Sequence, residues 1–196
     1  MKNCLLCGVG GQGTVLASRL IAHCAMVQGQ FARTAETIGM AQRGGSVVSH
    51  VRIGDDVQSS LIPLGQAELL IAFEPCEAVR ALPYLTEGGT IITATRTVQP
   101  VTGALSGVAF DADEMIGCLR AHAKTVITVD GDAIARKVGS PKVLNVALLG
   151  AASATGVLGI TLAEIEAALA EKLPPKVLAM NQKALALGAE CVKESK

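Results

Sequence analysis

The residues best suited to chemistry lie in two glycine-bearing stretches. The first, Gly8-Val9-Gly10-Gly11-Gln12-Gly13, is a G-x-G-x-x-G run between an apolar segment (Asn3 to Gly8) and a helix-periodic one beginning at Thr14. Glycines permit positive φ and let the backbone approach a ligand closely. A helix that opens at this point offers free N–H groups and positive potential to an anion such as pyrophosphate. The same spacing fits a dinucleotide site or a tight strand-to-helix turn that binds nothing. A dinucleotide site also needs an acidic residue about 20 positions further on; Glu36, expected in loop, is the only candidate. The second stretch, Met40-Ala41-Gln42-Arg43-Gly44-Gly45-Ser46, sets Arg43 beside two glycines. Its planar guanidinium can fork onto a carboxylate or phosphate, or simply be a surface group at a flexible turn. Beyond it, His50 and Arg52 share one face of an alternating segment, either as a polar ligand wall or as a solvated sheet face.

Other chemistries are excluded by what is missing. There is no G-x-S-x-G, H-E-x-x-H or G-K-[ST]. Cys4 and Cys7 form a C-x-x-C, but on a strand thiols three apart point to opposite faces and cannot share a metal. The iron–sulfur run C-x2-C-x2-C-x3-C-P is absent, so the cysteines read as structural thiols and no metal site is expected. His23 and His122 read as solvated. Asp55-Asp56, Asp111-Asp113-Glu114 and Asp130-Asp132 read as turn and helix-start carboxylates. Lys plus Arg total 17 and Asp plus Glu total 17, which leaves no net field for nucleic acid or an anionic membrane. One Tyr, three Phe and no Trp leave few platforms for stacked bases. Val143 to Ala163 runs 21 residues without a charge, about the ~20 needed to span a bilayer. Three glycines and the Thr161-x-x-Glu164 capping box break it into a buried helix over 142–157 and a second from 162. A soluble, cytoplasmic protein is expected.

The elements that must hold these residues alternate in type. Strands are expected at 3–8, 46–53, 69–73, 90–94 and 125–129, with a weaker candidate at 30–34. Gly54-Asp55-Asp56 is turn chemistry, so 57–64 is expected to return as the hairpin partner of 46–53. Residues 37–45 carry no apolar periodicity and read as loop. Helices fall at 14–28, 75–82, 111–122 and 132–138, and everything beyond Pro141 reads helical. This order implies an α/β protein: one three-layer α/β/α Rossmann-like domain over 1–196, with a mixed sheet and a helical C-terminal part. At 196 residues, 50% hydrophobic and only 17% charged, such a chain should cover part of its surface with another subunit.

The glycine run at 8–13, followed by Gly39-Met40-Ala41-Gln42-Arg43-Gly44-Gly45-Ser46-Val47-Val48-Ser49-His50-Val51-Arg52, resembles the gamma-type subunit or domain of 2-oxoacid:ferredoxin oxidoreductases, and most closely its indolepyruvate-type branch. The likeness continues through Ala72-Phe73-Glu74-Pro75, Pro83-Tyr84-Leu85, Gly88-Gly89-Thr90, Asn145, Leu149-Gly150-Ala151, Asn181 and Gly188, while 98–139 carries no family signature. The resemblance implies an oxidoreductase subunit, inactive alone, of an enzyme that oxidatively decarboxylates a small aryl-2-oxoacid such as indolepyruvate. Coenzyme A takes the acyl group and ferredoxin the electrons. Thiamine diphosphate and iron–sulfur clusters would sit on a larger alpha subunit, since this chain lacks both the Gly-Asp-Gly…Asn-Asn pattern and the cluster cysteines. By the same resemblance Gly8, Gly10, Gly11, Gln12 and Gly13 form an anion-binding loop. Arg43, Gly44 and Gly45 contact coenzyme A or the partner, and Arg43 is the one residue that supports catalysis. The alternatives are a stand-alone dinucleotide-binding protein, as redox enzyme or sensor, and a subunit serving another 2-oxoacid.

Overall fold

Strands and helices wind onto both faces of one six-stranded sheet in the computed structural model, which describes residues 1–36, 44–98 and 111–194. The first half contains β1 (Lys2–Val9), α1 (Thr14–Val27), β2 (Ala32–Glu36), β3 (Ser46–Ile53), β4 (Ala67–Ala72), α2 (Pro75–Ala81) and β5 (Leu85–Ala94). The second contains α3 (Ala112–His122), β6 (Thr125–Val129), α4 (Gly131–Val138), α5 (Leu144–Thr155), α6 (Leu162–Lys172) and α7 (Pro175–Glu194). Strand order is β2-β3-β1-β4-β5-β6. β1, β4, β5 and β6 run parallel, while β3 is antiparallel to both its neighbours, so the sheet is mixed as expected. The chain leaves β1 toward one edge and resumes at β4 toward the other. The gap between the carboxyl ends of β1 and β4 is therefore a topological switch point, where open α/β sheets place their ligands.

Burial on both faces explains the unbroken apolar run of β1. Cys4 and Leu6 join the larger core, against α1, α5, α6 and α7; Leu5 and Cys7 join the smaller one, with Ala78 of α2 and Leu119 of α3. The two thiols diverge as strand alternation requires, and burial raises both above the usual thiol range. α5 is an apolar helix buried from Asn145 to Ala152 and stopped by Gly156 in the left-handed conformation. Thr161 and Glu164 then cap α6 reciprocally. Among the described residues no helix is long and apolar enough to cross a membrane.

Three expectations need correction. Residues 57–64 form no strand: both edges of β3 are already taken, by β1 on one side and by β2 on the other, from Ala32 opposite Ile53 to Glu36 opposite Ser49. Glu36 closes β2 rather than lying in loop. His50 and Arg52 are neither ligand wall nor solvated face but buried pegs for the 57–64 segment. Arg52 donates from Nε to Asn3 Oδ1 at 2.9 Å and from Nη1 to the carbonyls of Ser59 and Leu61 at 3.0 and 3.1 Å. Ile62 N donates to His50 Nδ1 at 3.1 Å. Within the expected 37–45 loop, residues 37–43 lie outside the described residues and Gly44 is in a turn.

Candidate functional site

β1 delivers its glycines to the switch point, and each serves a distinct steric need. A Cβ at Gly8 would stand 2.7 Å from Gln12 Oε1 and 2.8 Å from Phe73 Cβ. That vacant space lets Gln12 fold back into its own loop. Val9 N donates to Gln12 Oε1 at 2.7 Å, and Gln12 Nε2 donates to Phe73 O at 3.2 Å. Gln12 thus braces the end of β1 against the end of β4. Gly11 and Gly13 adopt φ of +99° and +92°, the left-handed region that disfavours a side chain. Gly13 is the N-cap of α1 and supplies no side-chain cap, so the first-turn amides keep their donors for something else.

The second glycine stretch meets the first. Gly10 N donates to Gly45 O at 2.8 Å, so the expected anion loop and the expected Arg-Gly-Gly turn touch directly. Gly44, at φ +82°, has open space where a Cβ would be. Arg43 lies outside the described residues. Immediately after the turn, the Ser46 hydroxyl donates to Glu77 Oε2, and Arg80 Nη1 donates to Glu77 Oε1 at 2.6 Å. Glu74 caps α2 by accepting from Glu77 N at 3.0 Å, and burial holds its carboxyl above the usual range. Of these two buried carboxylates, Glu77 ties the start of β3 to α2 and Glu74 caps α2; neither has a role assigned from the sequence alone. Their one local signal is Glu74-Pro75, a capping residue followed by Pro in the first helical turn.

Past the glycines opens a cleft of about 500 Å³, lined by Gly11, Gln12 and Gly13, by Phe73 after β4, by Arg96 after β5, and by Lys142 and Asn145 around the start of α5. Asp132 of α4 is the acid on its wall, 3.4 Å from Arg96 Nη1. Both members of that pair are largely exposed, so it holds Arg96 weakly. Glu36 is elsewhere engaged: it accepts from Ser18 Oγ at 3.1 Å and faces Arg19 Nε at 3.8 Å. Because β3 separates β2 from β1, Glu36 does not stand where the acidic residue of a dinucleotide fold binds ribose. No group of three or more His, Cys, Asp or Glu among the described residues could hold a metal, and all six cysteines are free thiols. The cysteines of this chain do not fit an iron–sulfur cluster.

Fold and site together define a doubly wound α/β subunit with a glycine-lipped, cation-lined cleft at its switch point. The chain belongs to the pyruvate ferredoxin/flavodoxin oxidoreductase family, whose model matches residues 3–191. It is 41% identical to indolepyruvate oxidoreductase subunit IorB of Archaeoglobus fulgidus over 95% of this chain and 92% of that one. It is 34% identical to the protein of the same name from Thermococcus kodakarensis over 98% and 96%. Among solved structures, the keto/oxoacid ferredoxin oxidoreductase gamma subunit of Geobacter sulfurreducens superposes with a TM-score of 0.72 at 24% identity, covering 99% of both chains. The 2-oxoglutarate:ferredoxin oxidoreductase of Magnetococcus marinus superposes at 0.75 with 19% identity, over all of this chain and 31% of that one. At those identities the structural likeness shows the shared fold. The family expected from the two glycine motifs is the family found.

Proposed function

We propose that this chain is the small subunit of a cytoplasmic indolepyruvate-type ferredoxin oxidoreductase. The observation that carries this reading is near-full-length similarity to the indolepyruvate oxidoreductase subunits, at up to 41% identity. The reaction converts an aryl-2-oxoacid and coenzyme A to acyl-coenzyme A, carbon dioxide, a proton and two electrons that pass to ferredoxin. Thiamine diphosphate would supply the electron sink for decarboxylation, and iron–sulfur clusters would supply the route for the electrons. Both are assigned to a larger partner subunit, because this chain lacks the Gly-Asp-Gly…Asn-Asn pattern for the first, and its thiols are buried on opposite sheet faces or scattered and so cannot hold the second. Exposed Met26, Val27 and Phe31 at the end of α1, with Leu61 and Leu64, supply apolar surface for such a partner to cover.

This chain's own contribution is binding and orientation. The joined loops carrying Gly8, Gly10, Gly11, Gln12, Gly13, Gly44 and Gly45 hold an anionic part of coenzyme A or of the partner against the amides of α1, and Arg43 adds a charge-assisted contact. Copurification from the native host tests the assembly, and a thiamine- and cluster-bearing subunit should accompany the chain. In the reconstituted complex, Arg43→Ala should slow acyl-coenzyme A formation tenfold or more with an unchanged melting temperature, and Arg43→Lys should rescue it only in part. Arg19→Ala, on an exposed flank of α1, should be silent. Tight NAD(H) or FAD binding by a chain that recruits no partner would overturn the reading.

A further inference from the structure

We propose that a cavity at the amino ends of β5 and β6 binds a small apolar carboxylate, held by Arg120 and Lys124. β5 and β6 run parallel to β1, so this cavity lies at the opposite end of the sheet from the glycine loop. It measures about 580 Å³, within the usual range of roughly 300–1,000 Å³ for small-ligand sites. Its origin lies in where the two helical layers stop. Thr90 and Thr125 stand opposite each other at the first paired positions of β5 and β6. Only Ala123 and Lys124 separate the end of α3 from β6, and α5 ends at Thr155, where Gly156 turns the chain at φ +72°. Both layers therefore end beside the strand ends. The residues left there, Ala123 and Ala154, are too small to close the gap.

The lining selects the ligand. Arg120 and Lys124 are exposed at the rim, and neither has an ion-pair partner among the described residues. No described Asp or Glu lines the cavity beside them. The carbonyl end of α3 accounts for a cation in its last turn, at Arg120. It does not account for Lys124, which lies beyond the cap at Ala123. Together the two side chains offer a planar fork and a point charge, a combination suited to a carboxylate. α3 and α5 both end here, and their negative ends disfavour a second negative charge, so a carboxylate fits better than a phosphate. The floor is apolar. Ile127 of β6 and Val192 of α7 are 4% and 5% exposed. An apolar body laid against them leaves water while its carboxylate stays at the cationic rim.

Calorimetry and amide NMR on the full chain test the site with octanoate and phenylacetate, which separate an alkyl from an aryl source. Octanamide and phenylacetamide are the uncharged matches, and inorganic phosphate is charge without an apolar body. At least one carboxylate should bind about tenfold or more tightly than its amide and than phosphate. It should move the amide signals of Thr90, Thr125 and Thr155 and leave those of Gly11 and Gly13 in place. Arg120→Gln and Lys124→Gln should each weaken it about fivefold or more; both side chains are exposed, so neither change threatens folding. Ala154→Phe, at an exposed position of α5, fills the cavity without altering charge and should abolish binding. Arg136→Gln, exposed on α4, should change nothing. Four results would each overturn the proposal: neither carboxylate binds, the amides or phosphate bind as tightly, the signal shifts centre on the glycine loop, or Arg120→Gln and Lys124→Gln leave affinity untouched. None of them involves the larger subunit, so the subunit reading stands or falls separately.

Discussion

Gly13 answers two demands at once, and a single methyl group separates them. Its φ of +92° costs an ordinary residue about 1–2 kcal/mol, and a Cβ would also press within 2.8 Å of Asn145 Nδ2. Gly11 shares the backbone demand, at φ +99°, but has nothing within 4 Å. Gly13→Ala should therefore cost about 2–3 kcal/mol in urea unfolding and Gly11→Ala about 1 kcal/mol; equal losses would mean the Asn145 contact imposes nothing. His50 makes a second prediction. Burial lowers its imidazole below the ordinary 6.5, its Nδ1 accepts from Ile62 N, and its ring meets Tyr84 edge-on at 5.7 Å. Below pH 6.5 the unfolded chain takes up a proton that the folded chain refuses, so stability is full above that pH and declines as pH falls toward the lowered folded value. Between pH 7.5 and pH 5.5 the wild type should lose more stability than His50→Gln, whose amide oxygen can accept the same bond without titrating. Identical losses would remove His50 as the cause.

Helices α5 and α7 touch backbone to backbone, and two glycines make that possible. A Cβ on Gly150 would overlap the carbonyl of Leu185, and one on Gly188 the carbonyl of Ala147. Backbone atoms cannot rotate away as a side chain can, so Gly188→Ala should cost about 3 kcal/mol or more by thermal melts. Gly117→Ala, in α3 with open space around it, should gain about 0.5–1 kcal/mol from helix propensity. A reversed order would mean that the helices are not held at this spacing. The same contrast between local and distant causes governs how much could be read before the fold was seen. β1, α2 and α6 were legible because an apolar run, a Pro at a helix start and the Thr161–Glu164 box are local signals. The glycine loop was legible for the same reason, down to its position between strand and helix. Residues 57–64 misled because turn chemistry predicts a hairpin only where a strand edge is free, and the pairing of β3 with β1 and β2 is not written locally. His50 and Arg52 were misread because their partners are carbonyls and amides of a distant loop. Arg96 reaches the cleft from after β5, Lys142 and Asn145 from around the start of α5, and the glycines from after β1, so only the topology could assemble them.

Across the whole molecule the two layers flanking the sheet are unequal, and the inequality predicts how the protein opens. α1, α5, α6 and α7 cover one face, and α5 alone buries every residue from Asn145 to Ala152. The other face rests on α2 and α3, and α3 anchors itself through Ile116 and Leu119. Sparse anchoring lowers the free energy of local opening, so native-state hydrogen exchange should find α3 amides exchanging through a subglobal step and α5 amides only through global unfolding. Paired core truncations test that order, each removing about 2–5 kcal/mol of Leu packing. Leu119→Ala weakens a contact that is lost in both openings, so it should speed exchange in α3 and in α5 alike. Leu149→Ala weakens a contact that survives while α3 is undocked, so it should speed exchange in α5 and leave α3 unchanged. If Leu149→Ala accelerated both helices equally, the sheet and its two layers would be one cooperative unit, and the thin α2–α3 face would be no easier to open than the thick one.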